Sequence, residues 1–205
     1  ALKFVIDKKR LEGETGFVSD LDSDDGYPEI ENPLFAEKIY KKAEFYLNRF
    51  NKIDTSKTFD ELSNERCSGF KLNNNQKFIK TFLSPNTPYN GCLLFHGVGV
   101  GKTCSSISVA EGFIPDLEKV NKKVYILLNP SIKENFIKNI FNVKKVEAGI
   151  PNAQCTRSTY INRVKRYRTL DQLKYRVDKI INRKYNFLGY QQFANIITKI
   201  EEGIK

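Results

Sequence analysis

Before residue 90, two segments carry apolar side chains at the spacing of helices. Residues 34–50 repeat apolar positions three and four apart, which predicts one amphipathic helix with aromatic side chains on its buried face. Residues 51–68 are polar and predict a link between elements. Residues 70–82 return to the helical spacing and are followed by two prolines, which predicts a second helix that stops there.

The period of the pattern changes after residue 90. Short apolar runs at 92–96 and 123–129 predict buried strands. A helical pattern over 102–113 lies between them, and Ser131 follows a proline where it can cap another helix that ends at Phe141. Because strands and helices alternate, this part of the chain predicts a parallel sheet.

The last third of the chain continues this order of elements. Residues 157–184 are basic and keep their apolar positions in helical register. Residues 185–188 predict a short strand, and residues 190–200 predict a final helix. The predicted fold class is therefore α/β, with a parallel sheet preceded by a mostly helical amino-terminal segment.

Positive charge is concentrated away from the amino terminus. The 205 residues include 34 Lys and Arg against 24 Asp and Glu, a formal charge of +10. Residues 1–60 hold 10 basic and 13 acidic side chains, whereas residues 61–205 hold 24 and 11. A basic second half attracts polyanions, although a solvated lysine-rich surface has the same composition. No apolar run reaches the ~18 residues of a membrane span, so no membrane is expected as a partner.

A glycine-rich sequence, GVGVGKT at 97–103, lies between a predicted strand and a predicted helix. A phosphate loop requires that context, because glycines let backbone N–H groups face phosphate oxygens and the helix start adds a positive dipole end. In such a loop Lys102 reaches the β- and γ-phosphates and Thr103 holds Mg²⁺, so these two residues carry the predicted catalytic role. The predicted ATP contacts within this segment are Gly97, Val98, Gly99, Val100, Gly101, Lys102, Thr103 and Cys104.

The loop departs from the general pattern at its first position. G-x-x-x-x-G-K-[ST] places a glycine where this chain has His96, its only histidine. An ordinary glycine-rich strand-to-helix turn is the alternative, but it does not explain why Lys and Thr fall together at the helix start. His96 itself is either a packed residue that borders the loop or a catalytic one.

The surroundings of the loop resemble a known family. The segments NQKF at 75–78, FLSPNTPYN at 82–90 and LLFH at 93–96, followed by GVGVGKTCSSISVAEGF, resemble the superfamily 2 helicase-like ATPases of nucleocytoplasmic large DNA viruses. Within that family they are similar to the poxvirus-type group of the early transcription factor small subunit and nucleoside triphosphatase. Members of that group carry L-L-x-H-x-x-G-x-G-K-T, which His96 fits.

Further segments extend the resemblance to roughly residues 27–200. Residues 125–141 resemble helicase motif Ia, and residues 186–197 resemble a later strand and helix of the first RecA-like lobe. The resemblance implies a RecA-like ATP-binding lobe over 69–205 and an acidic, extended lead-in over 1–68 that carries the helix at 34–50.

The resemblance also implies roles for residues outside the loop. In such helicases a Gln upstream of the loop reads the adenine edge, which makes Gln76 the candidate, with a plain surface glutamine as the alternative. Phe82 or Tyr89 is a weaker candidate for stacking on the base. Motif Ia implies nucleic-acid contacts from Asn129, Pro130 and Ser131.

Basic and aromatic residues alternate between 157 and 168, a composition that suits a nucleic-acid backbone with some stacking. Arg163 and Arg166 are the predicted contacts, with Tyr160 and Tyr167 beside them. The contact is expected to be with DNA phosphates, strongly salt-dependent and with little reading of bases. One charged face of an amphipathic helix, or a face that meets a partner subunit, is the alternative.

Superfamily 2 ATPases also need an acidic D-E-x-H/D box and arginines from a second lobe. The acidic pair after residue 103 is Glu201–Glu202, which follows no apolar strand and is interpreted as a solvated helix end. We therefore expect that the chain stops before the acidic Walker B box, and that a second RecA-like lobe is a missing partner. Alone, the chain is expected to bind ATP weakly and to hydrolyse it poorly.

The resemblance implies an ATP- and Mg²⁺-dependent, DNA-dependent ATPase or helicase of viral transcription, with a viral RNA polymerase or another transcription factor subunit as partner. It places the protein in the virion and in the viral factory of the host cytoplasm. Two alternatives remain at this point. One is a non-catalytic RecA-like module that docks onto a polymerase or virion partner through residues 34–50 and the acidic lead-in. The other is a small P-loop kinase.

Overall fold

A computed structural model of the chain describes residues 26–49, 55–67, 70–95, 97, 99–164 and 166–203. Within these ranges the backbone forms helices and two strands. In chain order they are α1 (Phe35–Lys41), α2 (Ala43–Tyr46), α3 (Phe59–Cys67), α4 (Asn74–Phe82), α5 (Lys102–Lys119), β1 (Val124–Leu127), α6 (Pro130–Ile140), α7 (Val143–Glu147), α8 (Thr159–Arg163), α9 (Leu170–Lys184), β2 (Tyr185–Leu188) and α10 (Tyr190–Gly203).

The chain divides into two compact units. The first takes its described residues from 1–58 and 72–105, and the second takes them from 59–71 and 106–205. The division predicted from the sequence at residue 68 stays a prediction. None of the helices in the described ranges is long and apolar enough to cross a bilayer.

An aromatic cluster forms the core of the first unit. Ile39, Phe45 and Tyr89 are buried at its centre. Phe82 stacks on Tyr89 with ring centroids 4.3 Å apart, and the Tyr89 hydroxyl donates a hydrogen bond to the carbonyl of Pro28. The rings around this centre are Tyr27, Phe35, Phe78 and Phe82. Because Phe82 and Tyr89 stack on each other inside a core, neither is placed to stack on a nucleotide base, and that weaker prediction is wrong.

The predicted single helix over 34–50 is two short helices, α1 and α2. Lys42 separates them with an extended backbone, φ −68° and ψ 129°. In one continuous helix Ile39 and Phe45, six residues apart, would point about 120° away from each other. The break lets both side chains enter the same aromatic cluster, so packing outweighs the continuous helical pattern.

The buried strand predicted at 92–96 is wrong over its described residues, 92–95. These residues have no strand conformation, and the side chains of Leu93 and Phe95 are 88% and 94% exposed. A strand needs a paired neighbour, and the sheet of the described chain consists of β1 and β2 alone. The predicted polar link over 51–68 is also incomplete, because it contains α3, whose acidic first turn suits a helix start.

The second unit is built on a parallel pair of strands. β1 pairs with β2 in a register that runs from Val124 opposite Tyr185 to Leu127 opposite Leu188. Both predicted strands are confirmed, with β1 shorter than the run at 123–129. The predicted burial of the first is wrong, because Tyr125 and Leu127 are 59% and 38% exposed. The connection between them holds four helices, and α9 packs against α7, α8 and β2.

Helix α9 is amphipathic and supplies much of the buried surface of this unit. Leu173, Val177 and Ile181 recur every four residues and are 0–1% exposed. The basic helix predicted over 157–184 is thus two helices, α8 and α9, which the segment 164–169 separates. The final predicted helix is confirmed as α10 and extends to Gly203. Overall, the described chain is mixed helical with a small parallel sheet, which is compatible with the α/β class.

Candidate functional site

The glycine-rich loop adopts a backbone that favours glycine at two positions. Gly99 has φ +80° and Gly101 has φ +88°, in the left-handed region that other residues enter at a cost. Lys102 follows at once as the first residue of α5, an 18-residue helix. The loop therefore leads straight into the positive end of a helix dipole, as phosphate binding requires.

Gln76 connects α4 to this loop. Its side-chain Nε2 donates a hydrogen bond to the carbonyl oxygen of Gly101 at 3.1 Å. The same carbonyl accepts from the backbone N–H of Ser105 at 3.0 Å and from the Ser105 hydroxyl at 3.2 Å. Gln76 is 5% exposed and Ser105 is fully buried, so these bonds are shielded from water.

The other end of the Gln76 carboxamide closes a capping box at the start of α4. Its Oε1 accepts from the backbone N–H of Asn73 at 2.9 Å, and Asn73 Oδ1 accepts from the backbone N–H of Gln76 at 2.8 Å. Both ends of the carboxamide thus bond to the protein in this structure, and the adenine role of Gln76 stays a prediction. The sequence analysis did not identify Asn73 or Ser105 as part of this site. The spacing Asn-x-x-Gln at the start of a helix, which is typical of a capping box, could have indicated Asn73.

The backbone at Gly101 leaves no room for a side chain. A Cβ added to Gly101 would lie 2.6 Å from Gln76 Nε2, so a larger residue there would displace the bond that anchors the loop. Lys102 is exposed at the mouth of the loop, and Thr103 and Cys104 follow in the first turn of α5, half-buried. A hydroxyl at the second helical position can supply one oxygen ligand to Mg²⁺ beside the phosphates. Val98 and His96 lie outside the described residues.

The predicted motif Ia residues lie where β1 ends and α6 begins. Asn129 caps α6, because its Oδ1 accepts from both the backbone N–H and the hydroxyl of Ser131 at 3.0 Å. The prediction that Ser131 is the cap is therefore wrong, because Pro130 already occupies the first helical turn, where its missing N–H costs nothing. All three residues are exposed.

The same edge of the sheet also carries the start of α10. Leu128 N–H donates to the carbonyl of Leu188, and a Cβ added to the following Gly189 would lie 3.7 Å from Pro130 Cγ. Parallel strands place their carboxyl ends at one edge, so α6 and α10 begin side by side. Two positive helix ends at one edge form a surface suited to phosphates.

Arg163 and Arg166 line one basic pocket of the second unit. Arg163 ends α8 with its Nη1 3.7 Å from Glu118 Oε1, and Arg166 is exposed in the segment that leads to α9. Tyr160, predicted to join them on the surface, is fully buried, so that part of the prediction is wrong. Tyr167 is 40% exposed and remains beside Arg166.

Tyr160 instead belongs to a buried hydrogen-bond network. The hydroxyls of Tyr160 and Tyr185 both donate to Glu111 Oε1 at 2.6 Å, which links α5 to α8 and β2. Burial, followed by the nearby Glu111 carboxylate, raises the pKa of both tyrosines well above the ordinary range. These phenols therefore act as donors to Glu111 and stabilise the second unit.

Lys184 lies beside this network. It is 3% exposed, its Nζ lies 3.5 Å from Glu118 Oε1 and 5.4 Å from the centre of the Tyr160 ring, and it makes no hydrogen bond within the described structure. Burial, and then the charge of Arg163, lowers its pKa. Within the described residues, no group of three or more His, Cys, Asp or Glu side chains is arranged to hold a metal ion.

The chain is similar to proteins of large DNA viruses. It is 31% identical over 200 residues to a provisionally named ATP-dependent RNA helicase of Acanthamoeba polyphaga mimivirus, a match that covers 92% of this chain and 15% of that protein. It is 31% identical over 140 residues to a provisionally named helicase of Invertebrate iridescent virus 3, covering 63% of this chain and 13% of that protein.

A shorter match is to a transcription protein. The chain is 41% identical over 46 residues to the early transcription factor large subunit homolog of African swine fever virus (isolate Tick/Malawi/Lil 20-1/1983), which covers 22% of this chain and 4% of that protein. No family model matches the chain. No solved structure matches it either. The chain spans 15% or less of each of these relatives and is similar to viral helicase-like proteins.

Proposed function

We propose that this chain is the ATP-binding part of a superfamily 2 DNA-dependent ATPase or helicase that acts in viral transcription. The observation that carries the proposal is the phosphate loop, whose Gly99 and Gly101 have positive φ and which opens directly into α5 at Lys102. The names of the mimivirus and iridescent virus relatives support ATP use and a helicase-like activity.

In this proposal Lys102 and Thr103 carry the phosphate chemistry. The loop N–H groups from Gly97 to Gly101 and the start of α5 bind the phosphates, and Lys102 neutralises the β- and γ-phosphates. Mg²⁺, when bound, offsets charge that develops on the transferred phosphoryl group, and the Thr103 hydroxyl is one of its ligands. Gln76 keeps the last glycine of the loop in place through its bond to the Gly101 carbonyl.

Nucleic acid is proposed to bind at the sheet edge formed by Asn129, Pro130 and Ser131, with Arg163 and Arg166 as further contacts. The side-by-side starts of α6 and α10 support the first site, since both present N–H groups of a helix start. The contacts are with phosphates, so the affinity falls steeply as salt is added.

The proposal places residues 69–205 in a RecA-like lobe that works with a second lobe. Hydrolysis needs an acidic box, and it also needs arginines that the second lobe supplies. A phosphate loop alone neither positions the attacking water nor stabilises the transition state. We therefore expect weak ATP binding by this chain and turnover only when both lobes are present.

The proposed setting is viral transcription, with a viral RNA polymerase or another transcription factor subunit as partner, in the virion and the viral factory of the host cytoplasm. The name of the African swine fever virus relative supports a transcription role. That relative is named as a large subunit homolog. That this chain belongs with the group of the early transcription factor small subunit and nucleoside triphosphatase remains part of the proposal.

A non-catalytic docking module is the second candidate. The exposed side chains of Leu93 and Phe95, which directly precede the loop, favour it.

Lys102→Ala in the complete protein that carries this chain tests the proposal. We expect nucleic-acid-stimulated ATP turnover to fall by at least about 100-fold, because the charge on the transferred phosphates is then uncompensated. Lys122→Ala, at an exposed lysine beyond the end of α5, is the matched control and should keep full turnover. Unchanged turnover in Lys102→Ala would contradict the proposal and favour the docking module.

A further inference from the structure

A basic pocket lies on the second unit, where α8, the segment after it and α9 meet. Its volume is about 550 Å³. Five cationic side chains line it, and no acidic residue is among the described residues of its lining. They are Arg163, Arg166, Arg176, Lys179 and Arg183.

The arrangement of α9 explains why this pocket is so uniformly positive. Arg176, Lys179 and Arg183 are three and four residues apart and therefore share one face of the helix. At about 100° per residue, the two acids of α9, Asp171 and Asp178, lie about 120° from the centre of this face, and neither lines the pocket. The positive charges of this face are thus not neutralised by the helix that carries them.

Contacts at the rim fix part of the pocket. The Arg176 guanidinium donates to the carbonyl of Arg166, which joins α9 to the segment after α8. Glu118 neutralises part of the charge, since it is the ion-pair partner of both Arg163 and the buried Lys184. The remaining cations outnumber this one carboxylate, so the pocket has an excess of positive charge and attracts anions.

Apolar lining residues and aromatic rings near the pocket point to the kind of anion. Val164 and Ile180 are the apolar residues of the lining. Tyr167 and Tyr175 are 40% and 61% exposed next to the cations, and Lys179 Nζ lies 4.5 Å from the centre of the Tyr175 ring. Arginine forks bind phosphates and carboxylates alike, but exposed aromatic rings beside cations favour a ligand with bases that stack.

We propose that this pocket binds the phosphodiester backbone of a single nucleic-acid strand, with Arg176, Lys179 and Arg183 as contacts that the sequence did not predict. The inference rests on the proposed function only in taking a nucleic acid as the ligand. It adds a second binding surface, formed by α8 and α9, to the sheet edge at Asn129–Ser131. Binding there needs neither ATP nor the phosphate loop.

Fluorescence anisotropy with a 5′-labelled oligo(dT) 20-mer tests the pocket on the whole chain. Lys179→Ala/Arg183→Ala removes two pocket charges, and Lys122→Ala/Lys144→Ala removes two exposed lysines elsewhere in the second unit as the matched control. The pocket variant should bind the strand at least about tenfold more weakly, and its slope of log K against log salt should be smaller by about 1.4. The control should differ from wild type by less than about twofold.

Four results would overturn the inference. Equal losses in the two double variants would show that only net charge matters. Displacement of the strand by poly-glutamate as readily as by unlabelled oligo(dT) would point to an acidic protein partner instead. If the wild type did not bind the strand, the nucleic-acid part of the proposed function would be contradicted as well. If the wild type bound and both double variants bound equally well, only the assignment of this pocket would be contradicted.

The variants must also be folded for these results to count. Lys179 and Arg183 are both exposed, so the thermal midpoint of the pocket variant should match that of the control. Lys179→Gln/Arg183→Gln, which keeps most of the side-chain volume, should show the same loss of strand binding. Retention of wild-type binding by this Gln variant would also contradict the inference.

Discussion

Gln76 Nε2 donates a hydrogen bond to the carbonyl oxygen of Gly101 at 3.1 Å, although 25 positions separate the two residues in the chain. The same carboxamide closes the capping box of α4 through Asn73. One side chain therefore bonds both to the start of a helix and to the last glycine of the glycine-rich loop. The positions of α4 and of the loop are coupled through it.

Replacement of Gln76 by Ala should weaken both the fold and nucleotide binding. The change removes a cap and leaves the Asn73 N–H and the Gly101 carbonyl each without one partner, at about 1–2 kcal/mol of unfolding free energy. A loosened loop should bind ATP about fivefold more weakly, which corresponds to about 1 kcal/mol. Urea unfolding and nucleotide titration measure the two effects.

Asn75→Ala is the control for that experiment, because Asn75 is the exposed neighbour on the same helix turn. It should change both quantities by less than about 0.5 kcal/mol. If Gln76→Ala behaved like Asn75→Ala, the bond to Gly101 would not be what positions the loop.

Replacement of Gly101 and of Gly112 by alanine should change the unfolding free energy in opposite directions. Gly101→Ala places a Cβ 2.6 Å from Gln76 Nε2 at a φ of +88°, so it should lower the unfolding free energy by at least about 1–2 kcal/mol. Gly112→Ala meets nothing within 4 Å inside the helix and should raise it by about 0.5–1 kcal/mol. Thermal or urea unfolding of the two variants measures these changes. If both variants shifted the unfolding free energy in the same direction, the explanation from backbone conformation and space would be refuted.

Elements with a local signal were predicted well from the sequence. The helix that begins at Lys102, the parallel strands at 124–127 and 185–188, and the helix that begins at Tyr190 all follow from short-range patterns. α9 was anticipated because its apolar residues recur in helical register. Such patterns reflect contacts within an element or with an adjacent one.

Features that depend on distant contacts were predicted poorly. The break at Lys42 follows from the aromatic cluster, and the exposure of Leu93 and Phe95 follows from the absence of a paired strand in the described sheet. The burial of Tyr160 depends on Glu111, which lies 49 positions away. No spacing rule within one helix contains that information.

Tyr160→Phe should destabilise the second unit by about 1.5–2 kcal/mol, because Glu111 then loses one of the two hydroxyls that donate to it. In a double-mutant cycle with Tyr185→Phe, the two losses should not add, since both act on one carboxylate. Tyr175→Phe, at a 61% exposed ring, is the control and should have little effect. Additive losses would show that the two tyrosines act independently.

The raised pKa of these tyrosines predicts alkaline sensitivity. The folded protein keeps both phenols protonated while the unfolded chain begins to ionise them near their ordinary pKa of 10.0. The stabilisation is therefore complete below about pH 10 and is lost as the pH rises above it. Unfolding free energy measured from pH 9 to 11 should fall less steeply in Tyr160→Phe/Tyr185→Phe than in wild type, and equal slopes would contradict the prediction.

Lys184→Met should leave the stability at pH 7 unchanged or raise it by about 1 kcal/mol, because a buried ammonium without a hydrogen bond is removed while Glu118 keeps Arg163. Burial lowers the pKa of Lys184, so the folded protein releases this proton before the unfolded chain does. The wild type should therefore gain stability as the pH rises from the folded pKa toward 10.5, and the variant should lack this gain.

Lys174→Met, on an exposed position of the same helix, is the reference for the change in side chain. Urea unfolding at several pH values between 7 and 10 measures both variants. A loss of more than about 2 kcal/mol in Lys184→Met at pH 7 would instead mean that its ion pair with Glu118 stabilises the fold.

Calorimetric titration of the chain with ATPγS and Mg²⁺ tests the central claim most directly. Wild-type protein should bind one nucleotide, and Lys102→Ala should bind at least about tenfold more weakly because the charge that faces the β- and γ-phosphates is gone. Lys122→Ala should match the wild type. Binding that is equal in wild type and Lys102→Ala, or absent from both, would contradict the assignment of residues 97–103 as a working phosphate loop.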